Sequence, residues 1–321
     1  MTKFSSDRAL LTAGLVALSP AAMADIDLGK GVTISGFIDM AYVYQDVDGL
    51  DSTTKTYAID QVETTIAYTL PKGITAQVDI EYGESGDGSG NDETFIEQAI
   101  IAMPIGDRLT VKAGRFLSYS GWETEEPTGL YQYSGTGYAP LFYGYYQQGL
   151  SAYYDGDTVD FMFSAVNDAF SNPIENDTTN LGTEVGVAIS PFEGLTTKLF
   201  YITEEDKEAI NFWTSYQFSS WTLAFEYNTA EDTAYIGSEA DGYLLMANYA
   251  TGPYGFTARY HDYEVEDNLG ATTTDTSAVT LAASYAFSEN LLIVGEYRMD
   301  SEDLDSDGDA DTFALELLLT F

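Results

Sequence analysis

Apolar and polar residues alternate one for one along most of this chain, in runs of about ten. Trp221, Leu223, Phe225 and Tyr227 share one face, and Thr222, Glu226 and Asn228 share the other. Val279, Leu281, Ala283, Tyr285 and Phe287 alternate with Thr280 and Ser284, and Phe313, Leu315, Leu317, Leu319 and Phe321 flank Glu316. Near the start, Val32, Ile34, Ile38, Met40 and Tyr42 oppose Thr33, Ser35, Asp39 and Gln45. A period of two is the mark of a β-strand, whose side chains point alternately to opposite faces. Sixteen strands are predicted, at 32–45, 56–70, 73–83, 93–104, 108–117, 144–155, 157–167, 180–190, 194–204, 209–218, 221–230, 241–251, 254–265, 276–287, 291–301 and 311–321.

The connections alternate between two classes. Short turns such as Pro71-Lys72-Gly73 and Gly252–Tyr254 are followed by mostly longer, acidic loops, the third of which is 117–144. A water-soluble β-sandwich would show polar residues on its outer face. Here one face is almost wholly apolar, while the other mixes small, polar and charged residues, which do not fill a packed core. Aromatic residues gather near the strand ends, for instance Phe192 and Phe218 at the short-turn side and Tyr42, Tyr57 and Tyr227 at the other. An even strand number, an apolar band, aromatic girdles and one set of long loops predict an all-β fold, a transmembrane antiparallel barrel of about 16 strands. The third extracellular loop is then expected to fold into the lumen.

Composition narrows the functions. There are 12 Lys+Arg against 52 Asp+Glu, a net charge of -40, which excludes nucleic acid as a partner. Cysteine is absent and His261 is the single histidine, so neither thiolate nor histidine metal clusters arise. The start of the chain reads as an export signal over 1–24: Lys3 and Arg8, an apolar Ala9–Leu18 and a small-residue site Ala22-Met23-Ala24. Residues 25–321 would form the barrel domain, and no run reaches the 18 apolar residues of a membrane helix. The terminal LELLLTF, ending at Phe321, looks like the β-signal of bacterial outer-membrane proteins.

Two stretches carry a family likeness. SGFIDMAYVYQ (35–45), and VKAGRF (111–116) leading through the aromatic loop to GYYQQGLSAYYDGDTVDFMFSAVND (144–168), resemble the OmpL-like β-barrel porins and more broadly the sixteen-stranded bacterial porins. The resemblance implies an outer-membrane channel of a Gram-negative bacterium, passive diffusion of small hydrophilic solutes, assembly as a homotrimer, and the third loop as constriction.

Candidate pore residues follow from strand parity. Lys112, Lys198, Arg259 and Arg298 fall on the polar face, opposed by Asp79, Glu296 and further acids, among them Asp39, Glu63, Glu97, Glu184, Glu226 and Glu316. Glu123, Glu125 and Glu126 lie in the long loop. Arg115 has lipid-facing parity, so a β-bulge at Gly114 is expected to turn it inward. An array of both signs with excess acid favours cations; mutual pairing that merely stiffens the wall is the plainer alternative. Asp303, Asp305, Asp307, Asp309 and Asp311 have the alternate spacing of a calcium loop, although Ala314 stands where a bidentate Glu would be needed. A solvated acidic loop is the simpler reading of them. The acidic surface loops suit divalent cations that bridge to lipopolysaccharide and other outer-membrane lipid, and an adaptation to saline surroundings explains the same charge with no site at all. His261 on the lumen face offers no hydrolase site, so no enzyme is expected. The competing function is a structural or surface-interaction barrel with a plugged lumen.

Overall fold

The computed structural model describes residues 26–49, 53–83, 93–123, 126–170, 181–304 and 308–321. The expected export signal, 1–24, lies outside them. Seventeen strands are found: β1 (Ile26–Gly29), β2 (Val32–Val47), β3 (Thr54–Thr69), β4 (Thr75–Gly83), β5 (Glu93–Ile105), β6 (Leu109–Leu117), β7 (Tyr146–Tyr154), β8 (Val159–Val166), β9 (Gly182–Ile189), β10 (Leu195–Glu204), β11 (Lys207–Phe218), β12 (Trp221–Glu231), β13 (Glu239–Thr251), β14 (Tyr254–Glu266), β15 (Thr272–Ala286), β16 (Leu291–Glu302) and β17 (Ala310–Thr320). From β2 to β17 each strand pairs antiparallel with the next, and β17 pairs back onto β2 from Ala310↔Val47 to Thr320↔Phe37. The result is a closed barrel of sixteen strands. Where β17 stops, Phe321 exchanges backbone hydrogen bonds with Gly36, and the short β1 takes over the edge of β2 at Ile26↔Ile34.

Exposure follows the sequence alternation but inverts the pattern of a soluble protein. Leu223, Leu281, Leu315 and Phe256 are exposed, whereas Thr222, Glu226, Thr280, Glu296 and Glu316 are buried. Only hydrocarbon around the wall makes this arrangement favourable, at about 25 cal/mol per Å² of apolar surface removed from water. Apart from β8 and β9, at 8 residues each, the barrel strands run from 9 to 16 residues, long enough to cross it.

Two irregularities position acids. Between β2 and β3 the register passes from Asp39↔Gln61 to Met40↔Ile59, which makes Asp60 the extra residue of a bulge. Between β4 and β5 it passes from Asp79↔Gln98 to Ile80↔Ile96, which leaves Glu97 unpaired. The bulge expected at Gly114 is absent: Ile100↔Gly114 and Gly114↔Gly149 stay in step with their neighbours. Gly114 instead has φ +127, and a Cβ there would sit 1.9 Å from the Ala99 carbonyl oxygen. The β5–β6 ladder ends one residue later at Ala99↔Arg115, so β6 leaves β5 at this glycine.

Candidate functional site

The segment between β6 and β7 meets strands far around the barrel, always at their buried face. Ser118 Oγ and the Tyr119 backbone N–H donate to Glu184 of β9 at 2.9 and 3.0 Å. The Gly121 N–H donates to Asn211 of β11 at 3.0 Å. Glu226 of β12 accepts from the Trp122 N–H at 2.8 Å, from Tyr138 Oη at 2.7 Å, from Asn211 at 2.7 Å, and from the Tyr143 hydroxyl. Ser134 N–H donates to Glu296 of β16 at 3.0 Å, and Tyr133 Oη donates to Asp60 of β3 at 3.1 Å.

Arginines hold the middle of the segment. Arg259 of β14 forms a 2.7 Å ion pair with Glu123 and donates to the Ser134 carbonyl at 2.6 Å. Arg298 of β16 donates to the Gly135 carbonyl at 2.6 Å and pairs with Asp300. Glu123 also accepts from Gln132 and from the Thr136 N–H, both at 2.9 Å. It is therefore turned onto the wall rather than toward open lumen.

An apolar layer backs these contacts. A short helix α1 (Ala139–Phe142), with Tyr131, Tyr138 and Tyr143, packs on Ile202, Ala209, Ala224, Ala230, Ala240, Leu244, Met246 and Val265. Alanine at four inward positions of β11–β13 makes room for the rings. Full burial of each large ring is worth about 1.5–3 kcal/mol.

The remaining cations are covered. Lys112, inward as expected opposite buried Ala102 and Ser151, stands 4.3 Å from the Tyr119 ring centroid and 5.3 Å from that of Phe116. Lys198 stands 4.8 Å over Trp213. Arg115, brought round without a bulge, lies 5.9 Å over the ring of buried Tyr146. The carboxylates lie largely on the other wall. Asp39, Glu63, Asp79, Glu97, Glu296 and Glu316 are all buried on β2–β5, β16 and β17. Asp79 accepts from Gln77 and Gln98 at 2.8 Å. Tyr146 donates to Glu126 at 3.1 Å, and burial, then Glu63, push the Glu126 carboxyl well above its usual range.

Glu125 lies outside the described residues, as do Asp305 and Asp307. Of the other proposed calcium ligands, Asp311 belongs to β17 opposite Met299, and Asp309 accepts from the Glu302 N–H at 2.8 Å. With Asp303 they form no cluster of three carboxylates; the one such group among the described residues is Glu63, Glu97 and Glu126. Sequence reasoning passed over Asp60, because period two has no place for an extra residue. It put Glu226 on the lumen face but gave no sign that it anchors the loop.

The family model described as Gram-negative porin matches residues 11–305. No curated relative matches the sequence. Among solved structures, the OmpF complex with daunomycin from Salmonella typhi is similar at 14% identity with a TM-score of 0.71, covering 92% of this chain and all of that one. The anion-selective porin from Comamonas acidovorans is similar at 14% identity and 0.68, covering 90% and 99%. The trimer form of in-vitro folded OmpT, an outer membrane protein of Vibrio cholerae, is similar at 15% identity and 0.64, covering 91% and 100%.

Proposed function

The chain belongs to the Gram-negative porin family, an outer-membrane channel family, and on that premise we propose that it passes small hydrophilic solutes with a preference for cations, with 117–144 as its constriction. Export through residues 1–24 and trimeric assembly belong to the same reading. The observation that carries it is the unequal treatment of the lumen charges. Arg259 and Arg298 are engaged by Glu123, Asp300 and loop carbonyls, and Lys112 and Lys198 are covered by aromatic rings. Asp39, Glu63, Glu97 and Glu316 have no such ion pair among the described residues. The field left for a passing ion is negative. The segment's contacts with β9, β11, β12, β14, β16 and β3 support the constriction, since no path outside the wall joins those faces. An anion-selective relative of the same fold indicates that side chains, not the barrel, set the sign.

Planar-bilayer recording under a salt gradient tests this. Stepwise conductance with a cation-signed reversal potential is expected. Absence of steps would favour a plugged structural barrel, and an anion-signed potential would overturn the preference alone.

A further inference from the structure

Glu63, Glu97 and Glu126 come from three separate places: the middle of β3, the unpaired bulge position of β5, and the long loop. One carboxylate oxygen from each lies within 4.8 Å of the other two. Glu63 and Glu97 are 6% and 3% exposed, and the Oε2 atom of each has no hydrogen-bond partner among the described residues. The other oxygen of Glu63 accepts from Thr65 at 3.0 Å. No Lys or Arg among the described residues ion-pairs with Glu63 or Glu97.

Buried anionic oxygens without donors or counter-charge are strongly unfavourable, and like charges at this spacing add to the cost. Two oxygens held by one Ca²⁺ at about 2.3–2.6 Å stand at most about 5 Å apart, and the three oxygens lie within 4.8 Å of one another, inside that limit. All three donors are hard carboxylate oxygens, the kind that calcium takes. We propose that Glu63, Glu97 and Glu126 bind one divalent cation of the calcium type, which fastens the long loop to the β3–β5 wall. This rests on reading that loop as the constriction. Protein hydrogen bonds already hold the loop toward β9–β16 and, through Tyr133, at Asp60 of β3; the cation adds a second fastening on that side, at β3 and β5. Its loss sets the three carboxylates repelling and frees the loop at Glu126, so the width of the channel becomes sensitive to calcium.

Terbium is a suitable probe, because it takes calcium-type oxygen sites and emits when excited through a nearby tyrosine. Tyr146, whose hydroxyl touches Glu126, is such a donor. In the folded full-length barrel in detergent, a saturable terbium emission displaced by Ca²⁺ is expected. Glu97→Gln should weaken it about tenfold or more, as expected for losing one of three charged ligands. Glu193→Gln, on an exposed short turn, should leave it unchanged. Folding is checked by heat-dependent gel mobility, and if Glu97→Gln does not fold, Glu126→Gln in the loop replaces it. No saturable emission, or equal emission in the Glu97 or Glu126 variant, overturns the site; those results would leave the three carboxylates held by protons alone. Bilayer currents separate this from the channel reading. Steps that ignore calcium and chelator defeat the cation fastening and spare the channel. Calcium-displaceable terbium emission without any steps defeats the channel and spares the site.

Discussion

Replacing Glu226 by Leu should release the long loop while leaving the wall standing. The carboxylate accepts four hydrogen bonds, three of them from the loop: the Trp122 N–H, Tyr138 Oη and the Tyr143 hydroxyl. A hydrogen bond to a charged group contributes about 1.5–3 kcal/mol net. The three together give a ceiling of about 5–9 kcal/mol, which shared geometry reduces. Asn211 loses less, because it keeps Asn228 as a partner at 2.6 Å. Leucine of similar bulk avoids a cavity, so the ladder pairs Trp213↔Glu226 and Glu226↔Leu244 should persist. What still holds the loop is the Arg259 clamp and the burial of Tyr138 and Phe142. A net loosening of about 3 kcal/mol raises the open population by roughly 150-fold. The assay is cleavage of the folded barrel by a glutamate-directed protease, since Glu123, Glu125 and Glu126 are all in the loop. When opening is fast relative to cutting, cleavage follows that population. The parent should resist, Glu226→Leu should be cut near those residues, and Glu226→Gln should fall between. Equal cutting of parent and Leu variant would refute the anchoring role.

Three further outcomes are expected. Asp39→Asn with Asp79→Asn should shift the reversal potential toward zero, since each charge about 5 Å from an ion's path is worth about 0.8 kcal/mol in water, about fourfold in partition; an unchanged potential would remove these acids from the pore. Lys198→Met, which deletes a cation covered by Trp213, should shift it less than Asp79→Asn, and a larger shift would mean the lysine is open to the pore. Gly114→Ala should block assembly of the barrel, seen as loss of heat-dependent gel mobility, because its Cβ would overlap the Ala99 carbonyl by well over an ångström; normal assembly would show that β6 does not need to leave β5 at this point.

The strands were legible because a membrane barrel obeys period two on both faces, and even their ends fall within a few residues of expectation. The lumen acids of β2–β5 and β12–β17 were legible for the same reason. Asp60 was not, since a bulge is a register event and register depends on the partner strand. Arg115 shows the same limit from the other side. Its parity was read correctly as wrong for the lumen, but the remedy lay in the separation of β6 from β5, not in an added residue. The role of Glu123 was hidden too, because parity has no meaning inside a loop and only Arg259, far along the chain, fixes which way it turns.

The meeting of β17 with β2 sets the barrel apart in time as well as in space. Most other neighbouring pairs close over a short turn or a loop of about ten residues, whereas Phe37 and Thr320 are joined through nearly the whole chain. The ordering entropy grows as about 1.5RT ln n, so this last junction costs about 3 kcal/mol more than a ten-residue hairpin. Until it forms, β2 and β17 are both bare edges, ready to pair with any other strand. A nascent sheet of this kind is thus at its most vulnerable just before completion, and whatever shelters those two edges governs the yield of finished barrels.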